Sequence, residues 1–133
     1  MEYRALGRSG RKVSTLTLGT MTFGGEGGFA RIGETVVKDA ARQIDMCIEV
    51  GVNMLDTADL YSYSQSEEII SEFLPKDGRR NRLLLASKVR FPMSMEPNDA
   101  GLSRHHIMKS CDASLKRVRT DFLDIYWRHD GTA

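Results

Sequence analysis

No apolar run in this sequence approaches the ~18 residues that a membrane span requires. The opening "MEYRALGRSG" contains no hydrophobic core of a secretory leader. Cysteine is scarce. Cys47 and Cys111 are the only two, and both fall at helix-periodic positions among apolar residues. That pattern reads as two buried free thiols in a reducing cytosol rather than a disulfide framework, and it points to a cytoplasmic protein. Neither sign of charge is in excess. Lysine and arginine number 19, aspartate and glutamate 18, and the net charge is +1. No strong field therefore draws the chain to nucleic acid or to an anionic membrane. Internal repeats, linkers and low-complexity tracts are also missing. What remains is 133 residues, 41% hydrophobic and 28% charged. This is enough apolar material for the core of one ordinary domain spanning 1–133, and too much for a disordered chain.

The periodicity along the chain alternates between two and 3.6. Residues 2–14 read as a short hairpin around the turn "GRSGR". "STLTLGT" alternates with period two and predicts a first core strand over 14–19. A glycine-rich loop, "FGGEGGFARIG", follows. Val37, Ala40, Ala41, Ile44, Cys47 and Ile48 form a helical stripe, and Gly51 stands where a C-terminal cap belongs. "VNMLDTA" is a second strand. Ser64 and Glu67 make a capping-box pattern that opens a short helix stopped by Pro75. "RLLLASKV" predicts a third strand buried on both faces. Ser103 is placed to cap a helix marked by Ile107, Cys111, Leu115 and Val118, and "DFLDIYW" is the fourth strand. Strands separated by helices in this order imply a parallel sheet with right-handed crossovers, either a small open sheet or half of an eight-stranded (β/α) barrel.

In either architecture the working surface lies at the carboxyl ends of the strands. Asp56 ends the second strand, Tyr61 follows in the loop, Lys88 ends the third strand and His129 the fourth. Singly, each has a bland explanation. Asp56 could cap a loop, Tyr61 could pack, and a lone histidine is more often structural than catalytic. Lys88 is hardest to dismiss, because a partly buried lysine is rare unless paired. Equivalent strand ends make the four converge, and together they suit one chemistry. A phenol with an ordinary pKa of about 10 is a poor acid near neutrality, and a neighbouring ammonium favours its ionised form, each unit being worth ~1.4 kcal/mol. A carboxylate orients that ammonium, and an imidazole can hold a carbonyl oxygen near the phenol. These are the parts for protonating an alkoxide as hydride reaches carbon.

The segments "YRALGRSGRKVSTLTLGTMTFGG", "GVNMLDTADLY", "LLLASKV", "NDAGLSRHHI" and "SLKRVRTDFLDIYWRH" resemble the N-terminal half of an aldo-keto reductase. The resemblance covers essentially the whole chain. It implies an α/β fold of the (β/α)₈ TIM-barrel type, with this chain supplying the hairpin that closes the bottom and about four β/α units. It implies NADPH-dependent reduction of a small aldehyde or ketone. By motif, the catalytic set falls on Asp56, Tyr61, Lys88 and His129. Tyr61 is then the general acid, tuned by Lys88 and Asp56, while His129 orients the substrate carbonyl. The same resemblance places Gly19, Thr20 and Met21, with Asp56, beside the nicotinamide end of the cofactor. Trp127 becomes a candidate pocket wall with Tyr61 and His129. Where the family pattern has glycines after the tyrosine, this chain has "YSYSQSEE", a departure that bears on the substrate-side loop.

Two motifs point elsewhere. "GEGGFA" satisfies G-x-G-x-x-G/A, but a dinucleotide fingerprint must turn directly from strand into helix. Here "RIGE" intervenes, so the segment reads as a flexible loop over the barrel mouth. His105 and His106 point about 100° apart on a helix, a poor chelate, and read as a solvated first turn rather than a metal site.

A complete barrel takes about 250 residues. The chain is therefore expected to hold a full catalytic set, an incomplete cofactor site, an apolar inward face and two open sheet edges. Such edges recruit other chains. Two functions follow as expectations: an oxidoreductase active once the barrel is completed, or a non-catalytic half-barrel that acts by self-assembly or by binding a partner.

Overall fold

The computed structural model describes residues 1–129. Its order is β1 (Tyr3–Ala5), β2 (Lys12–Ser14), β3 (Leu18–Gly19), α1 (Val37–Glu49), β4 (Met54–Asp56), α2 (Gln65–Ser71), α3 (Arg79–Arg82), β5 (Leu84–Val89), α4 (Arg104–Val118) and β6 (Ile125–Arg128). β1 and β2 pair antiparallel, and β3-β4-β5-β6 form a parallel sheet in sequence order. No helix among the described residues is long and apolar enough to cross a membrane.

Strand alternation divides the sheet into two faces. Leu55 and Leu85 are register partners and both are fully buried. With Phe23, Ala40, Ile44, Ile69, Ile70 and Val118 they form the core between sheet and helices. Asp56 and Lys88 occupy the other face. The inward face is apolar over most of its length, as expected, and turns polar at its carboxyl end. Thr17, Gly19, Asp56 and Lys88 line it together with Met54 and Trp127.

The hairpin seals the amino ends of the strands, as the family resemblance implies. Asn53, one residue before β4, accepts from the Ser14 amide at 2.8 Å and donates to Lys12 O at 3.0 Å. Tyr3 donates to Gly51 O at 2.7 Å. Gly51 takes a left-handed φ of 86° directly after α1, the capping role its position predicts. Asp124, with a side chain only 2% exposed, binds Arg11 of the hairpin and Arg80 of α3 and also accepts from the Leu85 amide.

Several local expectations shift. Strand one is confined to Leu18–Gly19, because Ser14 belongs to the hairpin. Strand four starts at Ile125, with Asp124 held in the ion pairs just before it. Ser103 does cap α4, accepting from the His106 amide at 3.1 Å. The capping box at Ser64 does not form. Ser64 is left-handed and its hydroxyl donates to Asp59 O at 2.9 Å. Glu67 instead is fully buried and accepts from Ser87 Oγ at 2.7 Å and Arg117 Nε at 2.6 Å. His106 is not solvated. Its ring is fully buried beside Asp99 and Ser110, since α4 turns the polar stripe His106, Ser110, Ser114 inward. Cys47 and Cys111 are free and half-buried.

Candidate active site

Asp56 is the last residue of β4, and Gly19 and Ala86 are its register partners on either side. Lys88 is two residues further along β5 and pairs with Trp127 of β6. Parallel register thus brings Gly19, Asp56, Lys88 and Trp127 to one end of one face. Lys88 is the hub. Its three ammonium protons have three acceptors: Asp56 Oδ2 at 2.6 Å, Thr57 O at 2.9 Å and Tyr61 Oη at 3.0 Å. The ammonium of a side chain only 14% exposed is thereby fully satisfied. Its Nζ also lies 4.7 Å from the centre of the Tyr61 ring.

His129 follows β6, and its amide is fixed to Val89 O at 2.9 Å. Its ring stands edge-on to Tyr61, with centroids 5.7 Å apart and planes at 86°, and edge-on to Phe91 at 4.9 Å. Its Nδ1 is buried without a hydrogen-bond partner among the described residues. Burial first, and then the Lys88 charge, push the imidazole below its ordinary pKa, with Asp56 acting in the opposite sense. The ring is therefore neutral at neutral pH and can donate from one nitrogen. All four predicted catalytic residues are brought together.

The predicted cofactor segment sits at the end of β3. Gly19 presents bare backbone, with open space where a side chain would stand. Thr20 is buried, and its hydroxyl lies 3.2 Å from Asp56 O and 2.8 Å from Ser66 Oγ, which in turn is 3.1 Å from Thr57 Oγ1. This buried hydroxyl chain locks the ends of β3 and β4 together. Met21 is exposed. Gly19, Asp56, Lys88, Trp127 and His129 line an open cleft of ≈ 810 Å³.

Sequence reasoning missed three contributors. Phe29, from a 3-10 turn at Gly27–Phe29 in the glycine-rich loop, meets Tyr61 edge-on with centroids 6.0 Å apart. Phe91 flanks His129. Aromatic residues in loops at the carboxyl ends of strands were the available signal for both. Asp59 carried no such signal. It is fully buried, neither carboxyl oxygen has a partner among the described residues, and its amide donates to Lys88 O at 3.4 Å. Burial first, then the charge of Glu67, raise its pKa to about 7, opposed first by the nearby Leu60 amide and then by the Arg117 and Lys88 charges. Burial and Asp59 likewise push the Tyr126 phenol above its ordinary value, and that hydroxyl too is buried and unpartnered.

"GEGGFA" forms no phosphate cradle. The segment itself folds into the 3-10 turn, and the bridge residue Thr35 intervenes before α1, which starts only at Val37. No group of three or more potential ligand side chains among the described residues could hold a metal ion.

Known proteins resemble this chain in sequence and fold. An aldo-keto reductase from Bacillus halodurans, solved in its holo form, superposes with a TM-score of 0.78 at 35% identity, over 99% of this chain and 41% of that one. The uncharacterized oxidoreductase YrpG of Bacillus subtilis is 38% identical over 97% of this chain and 40% of its own length. A "probable voltage-gated potassium channel subunit beta" of Arabidopsis thaliana is 38% identical over 97% of this chain and 37% of its own. The chain thus spans about two fifths of the length of the curated relatives it matches. Its four parallel strands correspond to part of their TIM barrel. The model of the Aldo/keto reductase family matches residues 15–132, and the chain belongs to that family.

Proposed function

We propose that residues 1–133 are the N-terminal half of an NADPH-dependent carbonyl reductase, converting a small aldehyde or ketone to an alcohol once the barrel is completed. The single observation that carries this reading is the Lys88 ammonium, which bonds Tyr61 Oη and Asp56 at once. Lys88 stabilises negative charge on the phenol oxygen, so Tyr61 gives its proton to the substrate oxygen as that oxygen gains charge. Asp56 and Thr57 O hold Lys88 in place. His129, neutral between Phe91 and Tyr61, donates to the same oxygen and fixes the carbonyl's direction. Trp127 walls the cleft.

The residues present fit the nicotinamide end of the cofactor. Gly19 leaves room for a flat ring to approach the backbone, with Thr20, Met21 and Asp56 beside it. When bound, NADPH supplies the hydride that reaches the carbonyl carbon. The two free thiols support a reducing, cytosolic setting.

The test is NADPH consumption, followed by absorbance over a panel of aldehydes and ketones, for this chain and for a chain extended through eight strands. Tyr61→Phe in the active form should lower kcat by about 10²–10⁴, the range of a lost general acid. An unchanged rate removes the acid role from Tyr61.

The open edges favour a second reading. β3 and β6 each lack a neighbour on one side among the described residues, and Trp127 on the inward face is 40% exposed. In that reading the chain works by self-association or by binding a partner, without turnover. A monomer on sizing chromatography that binds NADPH would refute it.

A further inference from the structure

Tyr61 is followed by three consecutive non-glycine residues with left-handed backbone: Ser62 at φ 50°, Tyr63 at φ 51° and Ser64 at φ 75°. L-residues rarely adopt this region, and almost never in a row. Strain of this kind persists only where surrounding contacts hold it. Each of the three side chains makes such a contact. Ser62 is fully buried, and its hydroxyl accepts from the Gly25 amide at 3.1 Å. Tyr63 lies against Gly27, so close that a Cβ there would fall 1.9 Å from its ring. Ser64 turns back to Asp59 O. Two of these contacts reach the glycine-rich loop, and next to them Gln65 donates to Glu26 at 3.2 Å. The loop is fitted to receive them. Gly25 takes φ 141°, and a Cβ there would lie 1.8 Å from Gly33 O, so only glycine can present this amide to Ser62. The same loop carries Phe29 to the edge of the Tyr61 ring.

The geometry points to Ser62 and Tyr63 as positioning residues. They clasp the glycine-rich loop against the segment bearing Tyr61, so that Phe29 walls one side of the reacting phenol. Backbone strain stored beside Tyr61 is exchanged for a fixed loop. The substrate then reaches Tyr61 from the side away from Phe29, past His129. This last consequence rests on the carbonyl-reductase reading; the clasp itself does not.

Arg31 is exposed in the loop and provides the test, because the backbone after it is held to Phe29 O by the Ile32 and Gly33 amides and must be released to extend into the site of trypsin. The 133-residue chain is digested under native conditions, and cleavage after Arg31 is followed by mass. Ser62→Ala and Tyr63→Ala should each speed this cleavage by about 3- to 10-fold, the size of one lost hydrogen bond or packing contact. Ser62→Gly is the decisive variant. It relieves left-handed strain, so its Tm should hold or rise, while cleavage after Arg31 should still accelerate. Loop opening and global stability then move in opposite directions, which a residue needed only for folding cannot produce. In a form that turns over, the same variants should raise KM for the carbonyl more than they lower kcat. Wild-type cleavage rates in Ser62→Ala and Tyr63→Ala overturn the clasp, as does a Ser62→Gly variant in which Tm and cleavage resistance fall together. Absence of NADPH turnover in every form would sink the oxidoreductase reading while leaving the cleavage pattern to decide the clasp.

Discussion

Replacing Asp59 with asparagine tests whether a neutral acid is built into the wall behind the site. The carboxyl is fully buried, has no hydrogen-bond partner among the described residues, and shares its surroundings with buried Glu67. Glu67 is bound to Arg117 and Ser87, so its charge is already matched. A second negative charge beside it has no cation of its own, and Asp59 responds by holding its proton up to about pH 7, against an ordinary value of 3.8. The folded state therefore binds this proton more tightly than the unfolded chain does. Its stabilising contribution is complete below pH ~4, declines as pH rises, and is gone above pH ~7, a loss of about 4 kcal/mol at ~1.4 kcal/mol per unit. Asparagine keeps the shape and cannot ionise. Urea unfolding followed by circular dichroism at pH 5 and pH 8 should show the wild type losing stability between the two, relative to Asp59→Asn, by about 2–3 kcal/mol, the rest of the loss having occurred below pH 5. Among the other shifted groups, His129 also makes stability depend on pH, since burial lowers its pKa in the fold. Its depressed pKa gives it the opposite slope, and the mutant-minus-wild-type difference cancels it. If Asp59→Asn is less stable than wild type at pH 8 and the difference does not change with pH, the carboxyl is ionised in the fold and the reasoning fails.

Arg117→Leu should cost about 3–5 kcal/mol in chemical unfolding, because it leaves Glu67 charged and fully buried without its cation. The double change Glu67→Gln with Arg117→Leu should recover much of that loss. Ile70→Ala, at a fully buried core position, should cost about 2–5 kcal/mol with an unchanged far-ultraviolet spectrum. Asp99 is held down at about pH 2, chiefly by its hydrogen bond from Lys109, so Lys109→Ala should raise its titration midpoint toward the ordinary carboxylate value in carbon-13 NMR.

The parts legible in the sequence are those set by local period and strand order. The alternation of strands and helices, the cap at Ser103 and the glycine at the end of α1 all follow from spacing within one turn or one strand. The convergence of Asp56, Lys88 and His129 is legible for a related reason. Parallel strands joined by helices place their carboxyl ends together, whatever lies between them in sequence. Other features depend on partners that local spacing cannot see. Glu67 stands three residues after Ser64, the spacing of a capping box, yet its true partner, Arg117, lies 50 residues away. His106 looks solvated beside His105 until Asp99 and the turn of α4 bury it.

The same limit explains the segment that matters most to the site. "YSYS" contains no glycine and gives no local reason to expect left-handed backbone. The loop that holds it there begins nearly forty residues earlier, and its amide reaches Ser62 across |i−j| = 37. Strain at 62–64 and the glycines at 25 and 27 are thus two halves of one fit, each unreadable without the other. Asp56, Lys88 and His129 can be placed from strand ends alone, and Tyr61 from the loop that follows Asp56. The surroundings of Tyr61 are set by contacts between loops, and sequence period carries no record of those.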